Sequence, residues 1–316
     1  MRGTYDIIGR LGAGGRSVVY KAWHTRLNKH VVIKEDKLSY TSHTVHARSE
    51  AEALKNIRSM YVPQVFDILT ECNRSFTVIE FVEGLSFDKL LSGNPGFTKS
   101  QLVKWYWQLA SALESTHKRG VCHRDIKPSN IMLTPEGDVY LIDFNSALVG
   151  ESNTGLICRS PGYASPEQHE LYLGFQKCSL QQNSRDEPPA AGVSGSSCDT
   201  ELLGYDCVTD FVSTPLSALE PSPLSALEPS PLSALRVDWK LSDIYSLGAT
   251  MFHFLTGKRP SLQTADSIPN LSKWQPCDGP ESIIWRSMRR DPLQRYASAK
   301  ELAEAILTIY PAFCKV

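Results

Sequence analysis

The chain has 316 residues, 41% of them hydrophobic and 21% charged, with a formal net charge of -1. That is globular composition, enough for two domains or one large bilobed unit, and it carries no single-sign field of the kind that nucleic acid or an anionic membrane selects. No stretch reaches the roughly 18 apolar residues of a membrane-spanning helix, the N-terminal residues lack the apolar core of a signal peptide, and the 8 cysteines are scattered without a C-x-x-C pair, so they read as reduced thiols of a cytoplasmic protein.

Residues 5–35 read as three strands: Ile7–Leu11, Val18–Trp23 and His30–Lys34. Between the first two lies the turn Gly12-Ala13-Gly14-Gly15-Arg16-Ser17. Glycines there let a backbone approach another group closely, and a plain hairpin is the competing reading. Lys34 ends a β-branched run, an odd place for a cation unless it meets an anion. Residues 46–57 favour a helix by propensity. Glu50 lies one turn before Leu54, on the side that could meet Lys34. Val65–Leu69 and Phe76–Phe81 are two more strands, and Glu83-Gly84 breaks the pattern as a hinge would.

After residue 85 the character turns helical. Phe87–Leu91 is a short helix and Lys99–His117 a long amphipathic one, with Leu102, Trp105, Tyr106, Leu109, Leu113 and His117 at core spacing. Next comes the polar octet His123-Arg124-Asp125-Ile126-Lys127-Pro128-Ser129-Asn130, bracketed by apolar segments. It combines a carboxylate that can take a proton, an ammonium that can neutralise a phosphoryl oxygen and a carboxamide that can hold a metal. Loops with that content between buried elements carry chemistry more often than they merely turn the chain. Ile131–Leu133 and Val139–Ile142 are short strands, the second running into Asp143-Phe144-Asn145. A carboxylate ending a buried strand is costly unless paired or metal-bound.

Residues 146–161 lack periodicity. Residues 169–236 form a segment rich in Ser, Pro, Gly and Leu, ending in a tandem octad that starts at Pro215 and again at Pro223. Recurrent prolines forbid a continuous helix there, so the segment reads as a disordered low-complexity insertion, with a docking or regulatory role as the alternative. Order resumes near Val237. Leu241–Thr256, Pro280–Met288 and Ser298–Ile309 are the last helices, and Gly257 stops the first of them.

Taken together, the Gly-rich turn, Val-Ile-Lys, the helical Glu, the octet, Asp-Phe-Asn and Ser-Pro-Glu resemble, in order, the eukaryotic-type (Hanks-type) protein kinases, and within them the bacterial Ser/Thr branch. The resemblance covers nearly the whole chain outside the insertion. It implies an α+β bilobed fold: an N-lobe over residues 1–82, a helical C-lobe over 83–168 and 237–316, and the insertion between the two C-lobe parts. It implies ATP and Mg2+ (Mn2+ as a substitute) as cofactors, and a protein with a Ser or Thr acceptor as partner. A kinase dimer stays open.

The resemblance also assigns roles. Leu11, Gly12, Ala13, Gly14 and Ser17 would cover the ATP phosphates. Lys34 would contact the α/β-phosphates, steadied by Glu50. Val19, Val32 and Met132 would sandwich adenine, Glu80 and Val82 would offer it backbone groups, and Ile79 would be the gatekeeper. Asp125 would receive or orient the substrate hydroxyl proton, Lys127 would steady the γ-phosphoryl group, and Asn130 and Asp143 would hold the metal. Leu54, Phe66, His123 and Phe144 would stack between the lobes. Glu167 would pair with Arg295, and Asp243 would brace the octet's backbone. Arg124 would make activity depend on phosphorylation of Ser152 or Thr154.

Five positions depart from the family pattern. The third loop glycine is Ser17, Val32 stands for the usual Ala, Asn145 replaces a glycine, and Arg159-Ser160 replaces Gly-Thr. Ser160 keeps the hydroxyl that would contact Asp125 and Lys127. The insertion is tolerable to the fold, since loop closure costs only roughly 0.6 kcal/mol per doubling of length. Two rival functions remain in view: a pseudokinase or ATP-binding scaffold, and a small-molecule phosphotransferase of the same fold. The chain ends at Val316, soon after the last helix, so any sensing is expected to come from a partner or from the insertion.

Overall fold

β-branched residues in alternation set the first layer. Val31 and Ile33 are buried while Val32 and Lys34 are only half-buried, the period of two that a one-sided sheet demands. In the computed structural model, which describes residues 3–13, 17–36, 54–71, 74–93, 96–144, 146–149, 159–183 (backbone alone from 175), 237–261, 264 and 279–309, five antiparallel strands form one sheet. They are β1 (Tyr5–Ala13), β2 (Ser17–His24), β3 (Lys29–Asp36), β4 (Val65–Glu71) and β5 (Arg74–Glu80), in the order β1-β2-β3-β5-β4. Ala22, Val31, Ile33 and Val78 form its small core, with Tyr5, Phe66, Leu69 and Phe76 packed around it. The register places Gly12 opposite Val19, Val19 opposite Lys34, and Val32 opposite Ile79. Residues directly opposite share a face. So Gly12, Val19, Lys34, Val32 and Ile79 lie together on the face away from that core.

The second layer is helical. A short strand β6 (Leu85–Ser86) leads into α1 (Phe87–Ser92), and α2 spans Lys99–His117. A capping box starts α2. The Thr98 hydroxyl accepts from the Gln101 amide at 3.2 Å, and the Gln101 side chain accepts from the Thr98 amide at 2.9 Å. Its inner stripe, including Leu102, Trp105, Tyr106, Leu109 and Leu113, is fully buried. After α3 (Pro166–Asn183), helix α4 covers Trp239–Thr256, α5 Pro280–Ser287 and α6 Ala299–Ile309. The Asp238 carboxylate accepts from the amides of Lys240 and Leu241 and so starts α4. Gly257 stops it at φ 67°, in the left-handed region that suits glycine. α2 packs against α6 and α4, and α4 against α5. Gly248 lets the last pair approach: a Cβ there would lie 2.7 Å from the Ser287 Cβ.

One difference from the sequence reading lies at the start of the expected insertion. α3 continues through Asn183. Residues 169–183 contain no proline and several good helix formers, and Leu171 and Tyr172 are buried against the body of the protein. The tandem octads lie outside the described residues. So do residues 46–53 of the helix expected over 46–57, and Gly14, Glu50, Asn145, Ser152 and Thr154. Among the described residues no helix is long and apolar enough to cross a membrane.

Candidate active site

Four short strands carry the polar octet and Asp143. β7 (Val121–Cys122) enters the octet and β8 (Ile131–Leu133) leaves it; β9 (Val139–Leu141) enters the Asp143 loop and β10 (Leu148–Val149) leaves it. β8 pairs with β9 and β7 with β10, so both loops hang from the same two ladders. Two bonds stitch them directly. The Ile142 amide donates to Asn130 O at 2.9 Å, and the His123 ring nitrogen bonds Ile142 O at 3.0 Å. α2 fixes the β8–β9 turn from behind: Trp105 donates to Gly137 O, and Gln108 spans Asp138 and the Val139 amide.

The octet's backbone is braced from α4. Asp243 is completely buried, and its carboxylate accepts from the amides of His123 (2.8 Å) and Arg124 (2.7 Å) and pairs with His117 (2.9 Å). A carboxylate this deep is stable only when so surrounded. Arg124 and Asp143 both have positive φ, 64° and 63°. Each costs about 1–2 kcal/mol in a residue with a Cβ, and such strain concentrates at functional sites.

The octet's side chains converge on one carboxylate. Ser160 donates to Asp125 Oδ1 at 2.6 Å, Lys127 Nζ lies 2.8 Å from Asp125 Oδ2, and Lys127 also donates to the Ser160 hydroxyl at 3.0 Å. Asn130 Nδ2 donates to the Asp125 carbonyl at 2.8 Å. That bond orients the carboxamide, whose Oδ1 accepts from the Ser129 hydroxyl at 3.4 Å. On the sheet side, Lys34 Nζ donates to Asp143 Oδ1 at 3.0 Å. Desolvation pushes the Asp143 carboxyl up, but the Lys34 ammonium, by charge and by hydrogen bond, outweighs it with lesser help from His123 and Lys127. The Asp143 pKa therefore sits below the ordinary aspartate value. Lys34 and Asp143 thus tie the sheet to the helical layer. His123 and Phe144 add a ring contact, centroids 4.5 Å apart. Phe66 packs with the sheet's core and Leu54 against the helical core.

A second buried pair joins α3 to the residues that follow α5. Arg295 grips Glu167 through two bonds of 2.7 and 2.8 Å and also donates to the carbonyls of Leu241, Arg289 and Arg290. Several contacts have no forerunner in the sequence reading. Gln168, buried, donates to Arg124 O at 2.9 Å and accepts from Ser242. Ser242 also meets Ser165, and Trp239 lies against the Arg124 guanidinium. Single polar residues beside a proline-rich segment carry no periodic signal, so nothing in the sequence marked them.

A model of the protein kinase domain matches residues 5–173, more than half of the chain. The chain belongs to the protein kinase family. It is 34% identical to a probable serine/threonine-protein kinase of Clostridium acetobutylicum, over 52% of this chain and 26% of that protein. It is 24% identical to the serine/threonine-protein kinase PrkC of Bacillus subtilis, over 98% of this chain and 41% of the relative. It is 32% identical to a probable serine/threonine-protein kinase of Dictyostelium discoideum, over 67% of this chain and 38% of the relative. The chain therefore spans between a quarter and two fifths of these curated relatives. The PrkC comparison reaches past the 169–236 segment to α4, which holds Asp243, and to Arg295, which follows the short turn Pro292–Gln294.

Protein kinases take ATP and a divalent metal. The residues of this kinase fit both. Asn130 and Asp143 offer a carboxamide and a carboxylate oxygen, the hard donors that a small divalent cation prefers. Lys34 stands on the sheet face that also bears Gly12, Val19, Val32 and Ile79, so a cation and apolar side chains share one wall of the cleft. Met132, half-buried on β8, belongs to the opposite layer.

Proposed function

We propose that this kinase domain transfers the γ-phosphoryl group of ATP to serine or threonine hydroxyls of a protein, in the cytoplasm, with Mg2+ as the metal. The observation that carries the reading is the Asp125 carboxylate, clasped by Lys127 and Ser160 and followed by Asn130. Phosphoryl transfer asks an enzyme for positioning and charge neutralisation more than for covalent chemistry. Mg2+, when bound, supplies positive charge to the phosphate oxygens. The chain's own residues do the rest. Asn130 and Asp143 hold the metal, and Lys34 leans on the α/β-phosphates with Glu50 as its second support. Leu11, Gly12, Ala13, Gly14 and Ser17 close over the phosphates with backbone N–H groups. Val19, Val32 and Met132 enclose adenine, with Ile79, Glu80 and Val82 along its edge. Asp125 Oδ orients the substrate hydroxyl and takes its proton as the new O–P bond forms and the bond between the γ-phosphorus and the β–γ bridging oxygen breaks, with ADP leaving. Lys127 steadies the phosphoryl oxygens, and Ser160 holds both side chains in register. Lys127 two residues after Asp125 is the pattern of the Ser/Thr kinases and supports Ser and Thr over Tyr as acceptors.

Incubation of the full chain with γ-labelled ATP, Mg2+ and a generic basic protein, followed by phosphoamino-acid analysis, tests this. Label on serine or threonine, in the chain itself or in the acceptor, is the expected result. ATP binding with no transfer to any hydroxyl overturns it and leaves an ATP-binding scaffold.

A further inference from the structure

Arg124, the residue before Asp125, sits at φ 64° and is only 7% exposed. A backbone so placed persists where its surroundings over-determine it. Its amide donates to Asp243, its carbonyl accepts from Gln168, and its Nε donates to Ser146 O at 2.5 Å. The guanidinium lies over an aromatic face: Cζ is 5.0 Å from the centroid of Trp239. Trp239 opens α4, and Asp243 follows four residues later, one turn along on the same face. One face of one helix therefore grips both the backbone and the side chain of the residue that precedes Asp125.

Trp239 is buried, and its Nε1 has no hydrogen-bond partner among the described residues. An unpaired buried N–H opposes folding, so hydrogen bonding does not explain an indole here. What the ring supplies is a π face, on which a guanidinium stacks well. The ring also packs with Cys122, Leu148, Leu171 and Val237, which joins it to β7 and β10, the strands that flank the two site loops.

We propose that Trp239 is a positioning residue for phosphoryl transfer: its indole face holds the Arg124 guanidinium and thereby sets the Asp125 carboxylate. This rests on the kinase reading above. It assigns a catalytic consequence to a residue that borders the 169–236 segment and touches no substrate. Plain core packing at this position would ask only for apolar volume, and a leucine would serve. A positioning role asks for an aromatic face.

The test compares Trp239→Leu, Trp239→Phe, Arg124→Met and the Trp239→Leu/Arg124→Met double variant of the full chain. Trp239→Leu should lower kcat roughly fivefold to tenfold with the KM for ATP unchanged, the loss of one desolvated cation–π contact. Trp239→Phe should stay within about twofold of wild type, and Trp239→Leu should add no loss in the Arg124→Met background. A leucine variant with wild-type kcat, or single losses that multiply in the double variant, overturns the proposal. A second readout does not depend on turnover. The 19F resonance of 5-fluorotryptophan at position 239, assigned through Trp239→Phe, should move on Arg124→Met; an unmoved resonance overturns the stack. A wild-type chain without any transfer refutes the kinase reading and the positioning role with it, and a moved resonance in that chain leaves the Trp239–Arg124 contact itself standing.

Discussion

Removing the Glu167 carboxylate should cost more stability than removing both members of its pair would suggest. The Arg295 side chain is 0% exposed and that of Glu167 15%. Glu167→Ala deletes two charge-assisted bonds and leaves the guanidinium buried without its anion. Breaking such a pair from one side costs about 3–5 kcal/mol, because the stranded charge stays desolvated. Three carbonyls, those of Leu241, Arg289 and Arg290, still solvate Arg295, as does the face of Tyr245 at 5.0 Å. The loss should therefore fall near the lower end, about 3 kcal/mol, or a melting temperature lower by roughly 4–6 °C for a chain of 316 residues. The Glu167→Ala/Arg295→Met double variant removes the stranded charge, so its loss should be smaller than the sum of the two single losses. Thermal and urea unfolding of the four proteins measure this. Strictly additive losses, or a Glu167→Ala protein that melts with wild type, would refute the reasoning.

Gly248→Ala should lower stability by about 1–2 kcal/mol, since the added Cβ meets Ser287 at 2.7 Å and Met288 at 3.1 Å, and overpacking outweighs the gain in helix propensity; a melting temperature at or above wild type contradicts this. Asp143 should stay ionised at pH values below the ordinary aspartate midpoint, because its folded pKa is lowered mainly by Lys34. Its contribution to stability is then full above the unfolded pKa and lost as the pH falls through the folded one. A carboxyl 13C titration should show Lys34→Met moving the Asp143 midpoint upward, and an unmoved midpoint refutes the assignment. If phosphorylation of Ser152 or Thr154 supplies an anion to Arg124, alanine at both should reduce activity by about tenfold, the worth of one charge-assisted bond; full activity in the double variant sinks that link.

Much of the fold was legible because its signals are local. α2 runs from Lys99 to His117, as its apolar spacing suggests, since the Thr98–Gln101 box and the buried stripe coincide. β2 and β3 follow from their β-branched runs and β1 from its pairing with β2, with ends extended by one or two residues where pairing carries on beyond the apolar run. β7 and β10 were not legible. Each is two residues long, and they pair with each other rather than with sequence neighbours. The helical turns over 169–183 were hidden by the Ser-, Pro- and Gly-rich composition of the residues after Asn183. In the site, the charged members stood out because a short loop concentrated them. His117, Gln168, Ser242 and Trp239 did not, because each is one residue of an ordinary helix whose meaning comes from what it faces across the fold.

In the proposed reaction Asp125 acts on the substrate hydroxyl while other residues hold ATP. Single-turnover transfer from saturating ATP by Asp125→Asn, with ATP affinity measured alongside, tests it most directly. The variant keeps the bonds to Ser160 and Asn130 within reach but loses the proton acceptor. The expected transfer rate is lower by roughly 10²–10⁴-fold with ATP binding within about twofold of wild type. Transfer at close to the wild-type rate, or a loss that tracks weakened ATP binding, would contradict it.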